Sequence, residues 1–256
     1  MEIKPYILIT NDDGIAAPGI HALVMAMKEI GDVVVVAPDS ERSAVGHAIT
    51  LSDPIRVVDF NKNGLWSGFA VSGTPADCVK IAVGALLERR PSLVVSGINL
   101  GSNAGINVIY SGTVSAATEG TILGIPSIAV SLTTCSNPIF QTASDFAIKI
   151  AKTVLAKGLP KRTLLNINVP NVPKSEIRGI QITRQGMANF AECFDKRIDP
   201  RKRVYYWMDG QKEDVQADDD VDDEAIKKNK ISITPIKYDL TNYEFINELK
   251  SWDVGI

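Results

Sequence analysis

Residues Tyr6–Gly14 read YILITNDDG, a short apolar run that ends in an amide, two adjacent carboxylates and a glycine. Apolar side chains on successive positions of a strand-length run are typical of a strand that is covered on both faces, as in a parallel sheet. The stretch therefore predicts a buried first strand with Asp12 and Asp13 at its carboxyl end. Two acids at such a position need an explanation from the rest of the chain.

The same pattern recurs along the chain and predicts the fold class. Further apolar runs of strand length cover residues 33–37, 93–96, 127–131 and 164–169. Segments of helical length lie between the runs, at 19–30, 75–88, 113–123 and 139–156. Pro18 and Pro75 stand where helices are expected to begin. Strands that alternate with helices predict an α/β fold with a doubly wound, mostly parallel sheet.

The alternation ends near residue 184, which divides the chain into a predicted core (1–184) and a C-terminal arm (185–256). In the arm, we expect the segments RVYYWM and ISITPI to pair as a hairpin or with a second subunit. The segment LTNYEFINELKSW predicts a terminal helix that begins near Thr241. The acidic run at 218–224 contains no glycine turn, so a solvated loop or a helix N-terminus is favoured over a calcium site.

Composition and charge exclude several classes of protein. With 45% hydrophobic and 22% charged residues the chain is globular, and its net charge of -3 gives no general attraction to nucleic-acid polymers or membrane surfaces. The three cysteines form no CxxC pair, which argues against a disulfide framework and a thiolate zinc site. We find neither an export signal nor an apolar stretch long enough to span a membrane, and expect a cytoplasmic location.

The acidic pair points to a metal site. Loops at the carboxyl ends of strands form the ligand site of an open α/β sheet. Two carboxylates that share a site repel each other, and a cation between them removes the repulsion. The hydroxyl and amide oxygens of Ser43, Asn99 and Asn103 lie in neighbouring loops, and an oxygen-only site favours Mg²⁺, Mn²⁺ or Ca²⁺. Asn, Asp and Gly are also the usual turn formers, so a simple turn remains an alternative.

A second candidate site is the glycine- and asparagine-rich stretch from Gly97 to Thr113, directly before a predicted helix. Glycines let backbone N–H groups approach an anion closely, and a helix N-terminus adds aligned N–H dipoles. This composition is typical of a phosphate cradle. An ordinary loop in which Ser111 or Thr113 caps the helix remains the less favoured alternative.

Several known phosphate-handling and hydrolytic sites are excluded by inspection. The chain has no GxxxxGK[ST] loop and no GxGxxG after its first strand. With only His21 and His47, a Ser-His-Asp triad has few ways to form. Haloacid-dehalogenase-type phosphatases carry Asp-x-Asp-Gly after the first strand, but here the nucleophilic position is Asn11. An amide cannot attack phosphorus, which leaves water activated by the metal.

The ordered blocks along the chain resemble the SurE family of survival-protein 5'/3'-nucleotidases, which are metal-dependent. The blocks are ILITNDDGIAAPGI, VVVAPDSERSAVGHAIT, VSGTPADCVKIA, LVVSGINLGSNAG and YSGTVSAATEGTILGIPSIAVS. This resemblance implies a Rossmann-like core and a C-terminal extension exchanged between subunits of a homodimer or homotetramer. It also implies that one divalent cation per subunit, Mg²⁺ or Mn²⁺, is held by Asp12, Asp13, Ser43 and Asn99.

The resemblance further implies hydrolysis of nucleoside 5'- and 3'-monophosphates to nucleoside and inorganic phosphate, without a covalent intermediate. The catalytic candidates are Asp12, Asp13 and Asn99. Candidate contacts to the substrate phosphate are Asn11, Gly46, Asn103, Ser111, Gly112 and Thr113. Two alternatives stay open: a phosphatase acting mainly on other phosphomonoesters or polyphosphate, and a non-catalytic, metal-dependent nucleotide-binding regulator.

Overall fold

The computed structural model describes residues 4–187, 190–212 and 218–255, in which eleven strands and seven α-helices alternate for most of the chain. The strands are β1 (Tyr6–Thr10), β2 (Asp32–Pro38), β3 (Val57–Asn61), β4 (Ser67–Val71), β5 (Leu93–Leu100), β6 (Ser127–Leu132), β7 (Thr163–Val169), β8 (Ile180–Ile182), β9 (Phe190–Ile198), β10 (Val204–Lys212) and β11 (Ile231–Lys237). The α-helices are α1 (Pro18–Met27), α2 (Pro75–Ile81), α3 (Asn107–Tyr110), α4 (Gly112–Ile122), α5 (Phe140–Lys157), α6 (Asp222–Lys227) and α7 (Tyr243–Leu249). A π-helical turn covers Ala82–Leu86, and a 3₁₀ turn covers Lys174–Glu176.

Nine strands form one sheet in the order β3-β4-β2-β1-β5-β6-β7-β11-β8. Its central strands are parallel, whereas β3 against β4 and β11 against β7 are antiparallel. The chain moves from β1 outward to β2 and then returns to place β5 on the other side of β1. The order of strands therefore reverses between β1 and β5, and the loops after these two strands diverge at that point.

Helices cover both faces of the sheet, which confirms the predicted doubly wound α/β fold. On one face α1 and α5 pack over alternate side chains of the central strands, such as Ile7 and Ile9. On the other face α2 and α4 pack over Leu8 and Val94. These strand side chains are fully buried on both faces, which is why the strands have almost continuous apolar sequences.

The predicted strand and helix segments agree with the structure to within about three residues at each end, with two larger differences. The strand predicted at 93–96 continues to Leu100 as β5, because the Gly- and Asn-containing end still pairs with β6 across an irregularity between Gly97 and Asn99. The helix predicted over 75–88 ends at Ile81 and continues only as the π-helical turn. The turn contains Gly84, and glycine disfavours a continued α-helix.

The expected pairing of RVYYWM with ISITPI is wrong. Apart from Arg203, RVYYWM lies in β10, which pairs with the adjacent β9 in a separate two-stranded sheet. A strand close in sequence closes a shorter loop and loses less chain entropy. ISITPI lies in β11, which enters the main sheet between β7 and β8 and buries Ile231 and Ile233.

The terminal helix and the acidic run are the other predicted features of the C-terminal part. The terminal helix is present as α7, with Asn242 as its N-cap, close to the predicted start. The acidic run does supply a helix N-terminus, since α6 begins at Asp222. The solvated interpretation is wrong for Asp222 and Asp223, which are buried against the core. Among the helices in the described ranges, none is long and apolar enough to cross a membrane.

Candidate functional site

The candidate site lies where β1 and β5 end side by side. Thr10 and Ser96 are register partners on these strands, so the residues that follow them leave the sheet at the same edge. Asp12 and Asp13 come two and three residues after Thr10, and Asn99 lies in the last part of β5. The structure thus brings the predicted acidic pair and the predicted asparagine to the point where the strand order reverses, which is the expected ligand site of such a sheet.

The NDDG stretch does form a turn, as its composition allows. The Asn11 side chain closes this turn by donating from Nδ2 to the backbone oxygen of Gly14 at 2.9 Å. The N–H of Ile15 then donates to the oxygen of Pro38 at 2.8 Å, which ties the turn to the end of β2. Within the described ranges, the other side-chain atom of Asn11, Oδ1, is buried without a hydrogen-bond partner. The turn therefore also presents a polar atom that its own hydrogen bonds do not use.

Asp12 is buried against the N-terminus of α4. Only 4% of the residue is exposed, and both of its carboxylate oxygens accept hydrogen bonds from Thr113, Oδ1 from the hydroxyl at 2.5 Å and Oδ2 from the N–H at 3.0 Å. Burial raises the pKa of Asp12, although the hydrogen bonds from Thr113 act in the opposite direction. The carboxylate is oriented by the helix and remains poorly solvated.

The absence of a side chain at Gly112 permits this approach. A Cβ atom at Gly112 would lie 2.7 Å from the Cβ of Asp12 and 2.9 Å from its Oδ2. Real Cβ atoms essentially never approach another atom that closely. Glycine at the first position of α4 is therefore a requirement of the contact between α4 and Asp12.

Asp13 is partly exposed beside Asp12. Its pKa is raised to about 6, first by burial and then by the negative charges of Asp12 and Glu41, while the N–H of Leu100 acts in the opposite direction. The charges that act on Asp13 are thus both negative. A cation at this position would relieve the repulsion, so the electrostatics of the pair fit a metal site.

Ser43 and Asn99 can complete an oxygen donor set. The backbone N–H of Arg42 donates to the oxygen of Asp12 at 2.7 Å, which holds the Ser43 loop beside the acidic pair. Ser43 is exposed and donates from Oγ to Glu41 at 2.7 Å, so the lone pairs of Oγ are available to a cation. Asn99 is 9% exposed and donates from Nδ2 to the Gly101 oxygen at 2.8 Å. Its Oδ1 is then the atom that it can offer.

Two carboxylates, one hydroxyl and one amide oxygen are the ligand types that Mg²⁺ and Mn²⁺ prefer, so the residues present fit such an ion. In the part of the chain that the structure describes, no group of three or more His, Cys, Asp or Glu side chains is arranged to hold a metal. Such a group needs at least three side chains of these four types. The set described above has only two, Asp12 and Asp13, and its other oxygens come from a serine and an asparagine, so the finding does not apply to it.

Several of the predicted phosphate contacts make hydrogen bonds within the protein. Ser111 is the N-cap of α4, where its Oγ accepts from the N–H of Val114 at 3.0 Å, so the capping alternative is confirmed for this residue. Gly46 donates its N–H to the Tyr110 oxygen at 3.0 Å. As an acceptor in its cap, Ser111 keeps its own hydroxyl proton to donate elsewhere.

Asn103 is held in a buried amide network that the sequence did not predict. Its N–H donates to Oδ1 of Asn168 at 2.8 Å, and its backbone oxygen accepts from the side chains of Asn166 and Asn168 at 2.7 and 3.1 Å. Its own Nδ2 donates to Ser131 at 2.8 Å. Asn166 and Asn168 alternate with apolar residues in β7, TLLNINV, and polar residues inside an otherwise buried strand were the available signal.

A charged network that the sequence did not predict either lies further along α4. Glu119 has a side chain that is 3% exposed and contacts Nε2 of His47 at 2.9 Å and Nζ of Lys80 at 2.7 Å. Burial acts to raise the pKa of Glu119, but the hydrogen bonds from His47 and Lys80 outweigh it and lower the pKa. This carboxylate links the loop after β2 to α2 and α4.

His21 and the cysteines are outside the site chemistry. His21 lies in α1 and accepts from the indole N–H of Trp66 at 3.0 Å, which is a packing role. Cys78 is buried and its pKa is raised well above the usual value by burial, whereas Cys135 and Cys193 are exposed. The fold and the site together define a doubly wound α/β protein with an acidic, oxygen-rich site at the point where its strand order reverses.

Comparison with known proteins identifies the family. The model of the SurE family, described as survival protein SurE, matches residues 7–192. Proteins named 5'-nucleotidase SurE from Syntrophobacter fumaroxidans and Moorella thermoacetica are both 50% identical to this chain. The first alignment covers 97% of this chain and 99% of the relative, and the second covers 96% and 95%. The chain belongs to the SurE family.

A solved structure agrees with this membership. The crystal structure of the SurE protein from Aquifex aeolicus is 42% identical in sequence, with a TM-score of 0.84. The alignment covers 96% of this chain and 98% of that one. The similarity therefore extends over the core and the C-terminal part alike.

Proposed function

We propose that this chain is a metal-dependent nucleotidase that hydrolyses nucleoside 5'- and 3'-monophosphates to nucleoside and inorganic phosphate. The observation that carries the proposal is the adjacent pair Asp12 and Asp13, which follows Asn11 and lies where the strand order of the sheet reverses. This arrangement occurs in a chain that is 50% identical, over nearly its whole length, to proteins named 5'-nucleotidase SurE.

Four side chains would hold one Mg²⁺ or Mn²⁺ per subunit: Asp12, Asp13, Ser43 and Asn99. When bound, such an ion neutralises charge on the phosphate and lowers the pKa of a water molecule. The position of the ion would be set by the orientation and charge of these side chains. Thr113 fixes the Asp12 carboxylate by two hydrogen bonds, and the repulsion of Asp12 and Glu41 on Asp13 favours binding of a cation at the pair.

The chain contains no carboxylate nucleophile at the position that a covalent phosphatase would use. Asn11 stands there, and its Nδ2 is committed to the Gly14 oxygen. An amide does not attack phosphorus, so the attacking group is water and no covalent intermediate forms. Asp12, Asp13 and Asn99 are the catalytic residues in the sense that they hold and orient the reacting centre.

Binding of the substrate phosphate is assigned to the surrounding loops. Ser111 donates its hydroxyl proton to a phosphate oxygen while its Oγ keeps capping α4. Asn103 lies in a rigid amide network and supplies a fixed polar group. Gly112 and Thr113 contribute through the positive end of the α4 dipole. Asn11 and Gly46 line the same region.

The arm, residues 185–256, is proposed to join subunits into a homodimer or homotetramer through exchange of its hairpin (β9 and β10) and its terminal helix (α7), while β11 stays in the main sheet of its own chain. Its hairpin of β9 and β10 exposes a row of large side chains, of which Tyr206, Trp207 and Met208 are 58%, 59% and 68% exposed. Because successive side chains of a strand point to opposite faces, large apolar side chains are exposed on both faces of the hairpin, which is typical of a surface covered by another chain. Light scattering after gel filtration measures the mass, and a monomer at all micromolar concentrations would refute this part.

The activity is tested by release of inorganic phosphate from a panel of 5'- and 3'-mononucleotides, sugar phosphates and polyphosphate, with Mn²⁺ or Mg²⁺. We expect release from mononucleotides that EDTA abolishes and added cation restores. Asp12→Asn should remove activity, whereas Asp53→Asn, an exposed aspartate of the loop before β3, should retain it.

Two outcomes would contradict the proposal. Release from sugar phosphates or polyphosphate without release from mononucleotides would favour the broader phosphatase. Metal-dependent binding of mononucleotides with no phosphate release from any substrate would favour the regulator.

A further inference from the structure

The C-terminal segment holds the backbone next to Asn103 through Gly105. Its N–H donates to Oδ2 of Asp222 at 3.0 Å, and its carbonyl oxygen accepts from Nε2 of Gln185 at 2.9 Å. Both polar groups of this peptide residue are thus bound by side chains that lie 80 or more positions later in the chain. We name residues 101–106 the Asn103 loop.

Asp222 connects three segments of the chain. The residue is fully buried, with 0% exposure. While Oδ2 accepts from Gly105, Oδ1 accepts from the N–H groups of Gly186 and Asp223, each at 2.9 Å. A buried carboxylate with three backbone donors has a fixed orientation, since loss of any donor leaves a poorly solvated acceptor. One side chain therefore holds together the Asn103 loop, the segment at Gly186 that follows β8, and the start of α6.

This junction is also the base of the hairpin formed by β9 and β10. The chain leaves the core near Gly186 and returns at Val221, and Arg184 pairs with Val221 as an isolated bridge. The N–H of Arg184 donates to the Asp220 oxygen at 3.0 Å, and the N–H of Asp222 donates to the Arg184 oxygen at 3.1 Å. The two ends of the hairpin insertion are therefore closed beside the contact to Gly105.

We infer that Asp222 is a positioning residue that holds the Asn103 loop in its working geometry and couples it to the base of the hairpin. This inference rests on the proposed hydrolysis of nucleoside monophosphates, because Asn103 is assigned to the phosphate there. Asp222 does not contact the substrate. It acts on the reaction through the backbone of Gly105.

The test is Asp222→Asn, which keeps the shape but replaces one carboxylate oxygen by an NH₂ group. An NH₂ group cannot accept a hydrogen bond. The variant therefore loses either the bond from the N–H of Gly105 or the two bonds from the N–H groups of Gly186 and Asp223. Misplacement of a group near the reaction by about 1 Å costs on the order of 10²-fold in rate. We expect kcat for a mononucleotide with Mn²⁺ to fall by roughly 10- to 100-fold, with a smaller change in KM.

A second readout does not depend on activity. Hydrogen exchange of amides in the Asn103 loop should become faster in Asp222→Asn than in the wild type, at a temperature where both chains are folded. The matched control is Asp219→Asn, from the same acidic run, whose side chain is 91% exposed and pairs with Lys228 at the surface. It should leave kcat and the exchange of the Asn103 loop unchanged.

Gln185→Ala provides an independent variant if Asp222→Asn does not fold. It removes the bond to the Gly105 oxygen and leaves Asp222 in place, so loop exchange should rise and kcat should fall in the same direction by a smaller factor. Unchanged loop exchange in the folded variants, or a loss of kcat that equals the loss of folded protein, would overturn the inference. A wild type that releases no phosphate would instead refute the proposed function, while loop exchange would still report on the role of Asp222.

Discussion

Thr113 donates twice to Asp12, from its hydroxyl to Oδ1 at 2.5 Å and from its N–H to Oδ2 at 3.0 Å. The two residues are 101 positions apart, and their contact joins the end of β1 to the start of α4. The contact sets the direction of the carboxylate on which the proposed metal site depends. It also leaves the Asp12 side chain little rotational freedom.

Thr113→Val tests the side-chain half of this contact. Valine keeps the branched shape but has no hydroxyl, so Asp12 loses one hydrogen bond in a buried position. The Asp12 carboxylate is then less firmly oriented, and because misplacement of a group near the reaction by about 1 Å costs on the order of 10²-fold in rate, kcat/KM should fall by roughly 10- to 100-fold. Thr113→Ser, which keeps the donor, should stay near wild type. Thr153→Val, at an exposed position of α5, is the control and should have no effect on phosphate release.

Gly112→Ala should be far more damaging than its size suggests. The added Cβ would meet the Asp12 Cβ at 2.7 Å, so α4 or the NDDG turn has to move. We expect loss of phosphate release together with a lower midpoint of thermal unfolding. Gly84→Ala serves as the matched control, because a Cβ atom added at Gly84 would meet nothing within 4 Å in the described part of the chain. Equal activity of the two alanine variants would show that the close approach is unimportant.

Asp13→Asn should separate stability from metal binding. Asp12 and Glu41 both repel the charge on Asp13, so removal of that charge relieves the metal-free protein. We expect the melting temperature in EDTA to rise relative to wild type, while the increase on adding Mn²⁺, present in the wild type, disappears. Differential scanning fluorimetry with and without Mn²⁺ measures both effects. A variant that retains the full Mn²⁺ shift would exclude Asp13 as a ligand.

Glu119→Gln should change stability in a pH-dependent manner. Burial acts to raise the pKa of Glu119, yet the hydrogen bonds from His47 and Lys80 lower it below the ordinary glutamate value of 4.5. A lowered pKa in the folded state stabilises the protein above the unfolded value, and this contribution is lost as the pH falls through the folded value. The wild type should therefore be more stable than the variant at pH 7 by about 1–3 kcal/mol, and the difference should shrink below about pH 4.5.

Urea unfolding at several pH values measures this difference. Glu88→Gln is the control because Glu88 is exposed, and its free energy of unfolding should follow the wild type at every pH. A constant gap between wild type and Glu119→Gln from about pH 7 to about pH 3.5 would contradict the assigned role of the ion pairs.

The sequence predicted the regular elements well because their signals are local. Continuous apolar runs such as VVVVA identify strands buried on both faces, so β2 was found close to its true limits. Pro18 and Pro75 identify helix starts, so α1 and α2 were found close to their true first residues. The same local pattern placed Asp12, Asp13 and Asn99 at strand ends. The parallel order of the strands then brought them to one edge.

What the sequence did not predict are contacts between distant residues. Nothing near Asp222 indicates that it is buried, and its partner Gly105 lies 117 positions away. The amide network of Asn166 and Asn168 depends on which loop covers the end of β7. The pairing of RVYYWM was predicted wrongly because strand signals do not state their partners, and here the neighbouring β9 was the nearer one.

The position of β11 in the sheet affects how the chain can fold while it is being synthesised on the ribosome. The strand lies inside the sheet, between β7 and β8, although it is made after both of them. Until residue 237 has emerged, β7 has a neighbour on one side only, and its free N–H and C=O groups can pair with other chains. The nascent protein therefore carries an open sheet edge until late in its translation, and the hairpin that precedes β11 emerges while that edge is still unpaired.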